Sequence, residues 1–323
     1  MACPEALIDH KLLTNKTFSF PLEEKSWREF AYFSANVCHI FGPKNFKDAF
    51  SLFERAIVFS QIQSTHHFQK EQEIELGPRG AGQDPELFVT FHYGKYRMLP
   101  LLLITSGRSV AVVISEEVYE KYSRFYSGWM QTDNGGPRLF LERAENPFLG
   151  LRIRGHLERG VDIFVYADGN SGSKGSIVPD GLRDQQLLMG SIGIRSGFME
   201  LAHLLSIRTR FVLETSASLD AEPYLQVIER FDPKEFRDRS DFVDTSIRRI
   251  YARFSEYLKD SPVNWESLFY LHQSRPILSD KNIWSPEHRV MPLYFPNILD
   301  RFSYRVHQVD SQTHIGLCKL LLD

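Results

Sequence analysis

Two apolar stretches of the sequence end in side chains that can move a proton. In Leu87 to Leu103, LFVTFHYGKYRMLPLLL, His92 follows LFVTF, and in VDIFVYADG, Asp168 follows the similar run IFVY. A histidine titrates near neutral pH and can take the proton of an attacking hydroxyl or amine, while a carboxylate can orient the ring. Tyr93 and Arg97 lie just beyond His92, so a base, a phenol and a permanent cation are close together in the chain. Glu116 and Glu117 end a further run, SVAVVISEE, and are two more candidate acids. A lone histidine is usually an ordinary half-buried group. His92 stands apart by its place at the carboxyl end of a strand-like run, where open α/β sheets bind their ligands.

The segments that must hold these residues alternate in type. LFVTF, SVAVVI and VDIFVY have the length and β-branched or aromatic character of buried strands. MLPLLLITSG follows the first as an apolar helix closed by Gly107, and VYEKYSRFYSGWM follows the second as an aromatic helix. The run TDNGGPRLFLERAENP is broken by Gly135, Gly136 and Pro137. Strand, helix, strand, helix, strand implies an α/β fold, with a mostly parallel central sheet flanked by helices. The first eighty residues are helical and aromatic, with Phe46, Phe50, Phe53 and Ile57 on one face and Asp48 and Glu54 off it. GPRGAGQD, residues 77 to 84, lacks the G-K-[ST] ending of a P-loop and is a plain loop. DGNSGSKG could be a tight turn, or could offer backbone N–H groups and Lys174 to an anion.

Composition narrows the partners. The chain has 323 residues, 42% of them hydrophobic, and a formal net charge of -3. It is long enough for one large α/β core or two smaller ones, and neither its charge nor any basic stripe suits nucleic acid. Cys3, Cys38 and Cys318 are few and far apart, which suits a reducing compartment and argues against a Cys-rich zinc site. Cys38 lies in an aromatic helix and is expected to be a buried structural thiol. The adjacent pair His66 and His67 does not face one ion from a regular element. No apolar run approaches membrane-spanning length and no leader-like segment begins the chain, so a cytoplasmic protein with no stable membrane insertion is expected. A hydrolase is disfavoured, because no G-x-S-x-G elbow occurs.

The order of four stretches resembles the bacterial lipid A biosynthesis lauroyl and myristoyl acyltransferases, within the lysophospholipid acyltransferase superfamily. They are FVTFHYGKYRMLPLLL, then IFVYADG, then RSGFMELAHLLSIRTRFVL from Arg195, and SIRRIYARFSEYLKDSPVNWESLFYLHQSRP. The resemblance implies an acyltransferase-like α/β domain over residues 1–275, with residues 276–323 as an extension packed on it. It also implies acyl or aminoacyl transfer from a carrier-protein or coenzyme A thioester to a hydroxyl or amine, with no bound cofactor beyond the phosphopantetheine arm of the donor. His92 and Asp168 are then the expected catalytic residues. Tyr93, Arg97, Gly169, Asn170, Lys174 and Arg195 are the expected substrate-binding ones.

Two departures from the family's pattern matter. The family places Asp or Glu five residues after its histidine, where this chain has Arg97, and its lipid enzymes begin with a membrane helix that is not seen here. Glu116, Glu117 or Asp168 could replace the acid, with Asp168 favoured. Arg97 is expected to share the crevice with His92, to lower its pKa, and to pair with a carboxylate of the acceptor or a phosphate of the donor. It could also be a plain structural ion pair. The acceptor is expected to be small and soluble, best an amine carrying an acidic group, in a natural-product setting. Arg152, Arg154, Arg159 and Lys174 could dock an acyl or peptidyl carrier protein, or form a solvated face. The competing expectation is a degenerate member that only binds an acyl carrier or another protein.

Overall fold

The computed structural model describes residues 22–65, 83–130, 136–168, 182–216, 221–274 and 279–322. Strands β1 (Leu87–Thr90), β2 (Val110–Ile114), β3 (Leu139–Arg143) and β4 (Asp162–Tyr166) precede a hairpin of β5 (Leu182–Leu187) and β6 (Gly190–Arg195). Then come β7 (Thr209–Glu214) and β8 (Leu225–Phe231), and finally β9 (Val290–Pro292), β10 (Asn297–Asp300) and β11 (Arg305–Gln308). Six of them form the central sheet in the order β3-β2-β4-β1-β7-β8. All neighbours pair in parallel except β8, which closes one edge antiparallel to β7. The fold is therefore α/β with a mostly parallel sheet between helices.

The inner strands are apolar on both faces, as burial on both sides demands. Leu87 and Val89 of β1 and Ile163 and Val165 of β4 face one core, which also holds the helices Glu24–Phe41 and Phe46–Thr65. Phe88, Val112 and Phe164 face the other, smaller core, made by Leu99–Thr105 and the aromatic helix Glu116–Phe125. The longest helix, Arg239–Asp260, is capped by Asp238, which accepts from Asp241 N at 3.0 Å. Its Phe242, Ile250, Phe254 and Leu258 are buried at helical spacing, and Phe254 stacks on Phe91 with centroids 3.8 Å apart.

Three elements differ from the sequence-based expectation. The run broken by Gly135, Gly136 and Pro137, not counted among the strands, contains β3, an edge strand paired with β2. Its LFLER lacks an apolar run because the buried Glu142 is satisfied by ion pairs with Arg152 and His156. The β5–β6 hairpin and the antiparallel β8 were not anticipated. The described C-terminal residues pack on the first helix: Trp27 Nε1 donates to Pro292 O at 2.8 Å, and His39 Nε2 lies 3.1 Å from Arg301 O. β11 is a strand as its alternation suggests, and Ser311–Leu322 is a helix. Cys38 is buried and reduced. His66, His67 and the 77–84 loop fall wholly or mostly outside the described residues.

Candidate functional site

β1 and β4 are adjacent, parallel and paired Leu87 with Ile163 through Thr90 with Tyr166. Two residues beyond that register, His92 and Asp168 come opposite each other. Asp168 Oδ1 lies 2.8 Å from His92 Nδ1. The bond leaves Nε2 as the ring nitrogen free to meet a reactant, and the neutral tautomer carries its lone pair there.

Asp168 is held from several sides. The His92 amide donates to both its carboxylate oxygens at 3.2 Å, and Trp265 Nε1 and Ser267 Oγ each donate to Oδ2 at 2.7 Å. Tyr251 fixes the turn before it, its hydroxyl donating to Ala167 O at 3.0 Å. The chain after β1 is fixed as well. Gly94 N donates to Asn264 O and Glu266 N to His92 O, both at 2.9 Å, which brings Trp265, Glu266 and Ser267 beside the pair. Gly94 has φ +63°, and a Cβ there would collide with the Glu214 carboxylate, so this turn requires glycine. The His92 ring stacks on Tyr166 with centroids 4.5 Å apart and meets Tyr96 edge-on at 4.8 Å.

These contacts set the charge states. Burial pulls the His92 pKa down, but the charge and hydrogen bond of Asp168, with Glu266 behind them, outweigh it, and the net shift is upward. Arg97 does lower the His92 pKa, as expected, but it is the smallest of these influences, so the expected net lowering is corrected to a net rise. For Asp168, burial raises the pKa, while His92, Trp265 and Ser267 more than offset this and leave it below the usual carboxylate value. Both groups are thus biased toward their charged forms.

Arg97 does lie in the same crevice, with a partner that sequence reasoning missed. Its Nη2 donates to Glu266 Oε2 at 3.0 Å and Oε1 at 3.2 Å, and Tyr96 Oη donates to Glu266 Oε2 at 2.7 Å. His92, Arg97, Asp168 and Glu266 all line one cavity of about 600 Å³. Away from the polar groups its wall is apolar, built by Leu149 and Ile153 of the helix Leu149–Glu158, Ile163 and Val165 of β4, and Leu201 and Ala202 of the helix Gly197–Leu204.

The other expected residues divide. Arg195 is exposed on the cavity wall at the end of β6. Tyr93 is not on that wall. It is 4% exposed, packs on Phe254 and donates to Tyr257 O at 3.2 Å, so the expectation of a substrate contact is corrected to a core role. The reason is strand alternation, which turns residue 93 to the opposite face from 92. Gly169, Asn170 and Lys174 lie outside the described residues. Glu116 pairs with Arg143 at 3.0 Å, both about half exposed, and Glu117 is on the cavity wall. Arg152, Arg154 and Arg159 sit on or just after the helix Leu149–Glu158, where Arg152 bonds Glu142 and Arg154 bonds Glu158. Trp265, Glu266 and Ser267 come from a 3-10 turn and its approach, with no periodicity to announce them, and although they lie within the fourth family-like stretch none was singled out as a site residue.

The fold and site define a class: α/β proteins in which a histidine–carboxylate pair sits beyond the carboxyl ends of a parallel sheet, at one wall of a largely apolar cavity. No protein-family model matches the chain, and no curated protein matches it. Among solved structures it is similar to the 1-acyl-sn-glycerophosphate acyltransferase from Thermotoga maritima, at 16% identity and a TM-score of 0.30, over 73% of this chain and 96% of that one. That identity and score are too low to carry correspondences between residues.

Proposed function

We propose that the protein is an acyltransferase that moves an acyl group from a phosphopantetheine thioester to a hydroxyl or amine of a small acceptor, with His92 as general base. The observation that carries this is the 2.8 Å His92–Asp168 pair in the wall of a cavity whose other part is apolar. His92 Nε2 takes the proton of the acceptor as its oxygen or nitrogen attacks the thioester carbonyl. The tetrahedral adduct then expels the pantetheine sulfur, which receives that proton from the imidazolium, giving ester or amide and free thiol. Asp168 holds the required tautomer and stabilises the imidazolium while it exists. The apolar wall suits the hydrocarbon part of the acyl group, whose burial favours binding by about 0.8 kcal/mol per methylene.

A carrier-binding protein without chemistry was an alternative because Arg97 stands where the resembled family keeps its acid. Asp168 supplies a carboxylate to the histidine from another strand, which removes the chief reason for it. The donor is an acyl or peptidyl carrier protein or coenzyme A, and the basic side chains of the helix Leu149–Glu158 are the surface we assign to an acidic carrier. Incubating the protein with acyl carrier protein or acyl coenzyme A and a panel of amines and alcohols, with intact-mass detection of products, tests this. Acyl products that vanish in His92→Ala are expected. Absence of transfer from both donors, or undiminished transfer by a folded His92→Ala protein, contradicts it.

A further inference from the structure

The cavity wall near His92 contains something an acyl chain does not need. Arg97 and Glu266 are charged, only 13% and 16% exposed at their side chains, and bonded to each other. Burying such a pair is costly, and apolar residues of similar volume would often be as stable, so a pair kept in a cavity wall calls for a further use. Neither group is saturated. Its bonds to Glu266 come from Nη2, Tyr122 is a further hydrogen-bonding neighbour, and the Arg97 Nε is buried without a hydrogen-bond partner. Glu266 Oε1 accepts a single bond, the 3.2 Å one from Arg97, so it can accept another. An unpaired buried donor costs about 1–3 kcal/mol, which adds to the cost of keeping this pair in the wall.

From this juxtaposition we propose that the Arg97–Glu266 pair, walled by Tyr96 and Tyr166, is the acceptor subsite and that it takes a zwitterion, a free amine and a carboxylate on one small molecule, as in an α-amino acid. The proposal rests on the acyltransferase assignment for its reaction but not for its binding. The carboxylate meets the guanidinium and the ammonium meets Glu266, so one bound molecule satisfies both charges as they now satisfy each other. Glu266 is also joined to His92 through its backbone, its N–H donating to His92 O, which places the amine next to the imidazole. For reaction the ammonium first loses one proton to solvent. As the C–N bond forms, the second proton passes to His92 Nε2, and as the C–S bond breaks it goes to the leaving thiolate. The products are an amide, a thiol and one proton released to water. Arg97 is then an anchor for the acceptor, at a position where a carboxylate would repel it.

The test is equilibrium binding to the full chain, which needs no donor. Free L-α-amino acids are compared with their N-acetyl derivatives, which lack the ammonium, and their amides, which lack the carboxylate. Free amino acids should bind about tenfold or more tighter than either derivative. Glu266→Gln should weaken the free amino acid and the amide but not the N-acetyl derivative. Arg97→Gln should weaken the free amino acid and the N-acetyl derivative but not the amide. Where either variant fails to fold, the comparison of ligands on the unaltered protein still decides. Equal binding of all three ligand types, or no binding by any, overturns the zwitterion subsite. If none binds while the protein acylates a simple alcohol, the subsite is wrong and the acyltransferase assignment survives. If the expected pattern appears but neither donor yields an acyl product, the subsite stands and that assignment fails.

Discussion

The two ends of the parallel sheet carry buried charge clusters of similar make-up and different consequence. At the amino ends, Asp162 of β4 accepts from Arg108 Nε at 2.8 Å, while Glu86 accepts from Arg108 at 3.0 Å and from Arg210 at 2.9 Å. At the carboxyl ends, Asp168 holds His92 and Glu266 holds Arg97. Each cluster pairs two carboxylates with two basic side chains. All four groups at the carboxyl ends line the cavity, whereas Glu86, Arg108, Asp162 and Arg210 do not. The same ingredients thus serve to fix strand order where they are closed off, and can serve chemistry where they border open volume and include a group that titrates near neutral pH.

Mutating the two ends should separate these roles. The largest effect is expected for His92→Ala, which should lower acyl transfer by about 10²–10⁴-fold with little change in Tm, as measured by product mass and thermal unfolding. Arg108→Ala should do the reverse. It removes the cation that bridges the buried Glu86 and Asp162 and should cost about 3–5 kcal/mol in denaturant unfolding, with site chemistry intact in whatever remains folded. If Arg108→Ala unfolds no more easily than wild type, the amino-end cluster is not the fastening described here. Arg97→Glu, although it brings this chain to the resembled family's pattern, should raise KM for the acceptor more than it lowers kcat, because it sets a second carboxylate against Glu266. A lower KM in steady-state kinetics would count against the acceptor role. The smallest effect is expected for Trp265→Phe, which removes one of the donors to Asp168 and should cost about 0.5–1.5 kcal/mol of stability, with a modest loss of rate.

How much of this was legible in the sequence depended on whether a signal was local. LFVTF, SVAVVI and VDIFVY declared themselves as buried strands, and polar residues ending such runs marked His92 and Asp168 as strand-end groups. Their approach to 2.8 Å depends on β4 lying next to β1, with β2 and β3 on its other side, and strand order leaves no local trace. β3 went uncounted because a buried Glu142 interrupts its apolar run, its burial allowed by Arg152 and His156 from a later helix. Glu266 was missed for a similar reason. It lies 169 residues beyond Arg97 in a short 3-10 turn, and long-range contacts such as the backbone bridge between Tyr93 and Trp265 bring it to the site. Tyr93 was misassigned because adjacency to His92 in sequence counted for more than the alternation that sends neighbours to opposite faces.

The central claim is that Asp168 makes His92 a stronger base than a free imidazole and that this base does the chemistry. The direct measurement is the pH dependence of kcat/KM for acyl transfer by the wild type and by Asp168→Asn. Imidazolium cannot accept a proton, so activity should rise with pH through an apparent pKa above the ordinary histidine value of about 6.5, in keeping with the upward shift of His92. Asp168→Asn removes the charge that opposes burial, so the rising limb should move below that value while the maximal rate falls. A limb that stays in place when Asp168 is replaced, or a wild-type limb already below the ordinary value, would contradict the account.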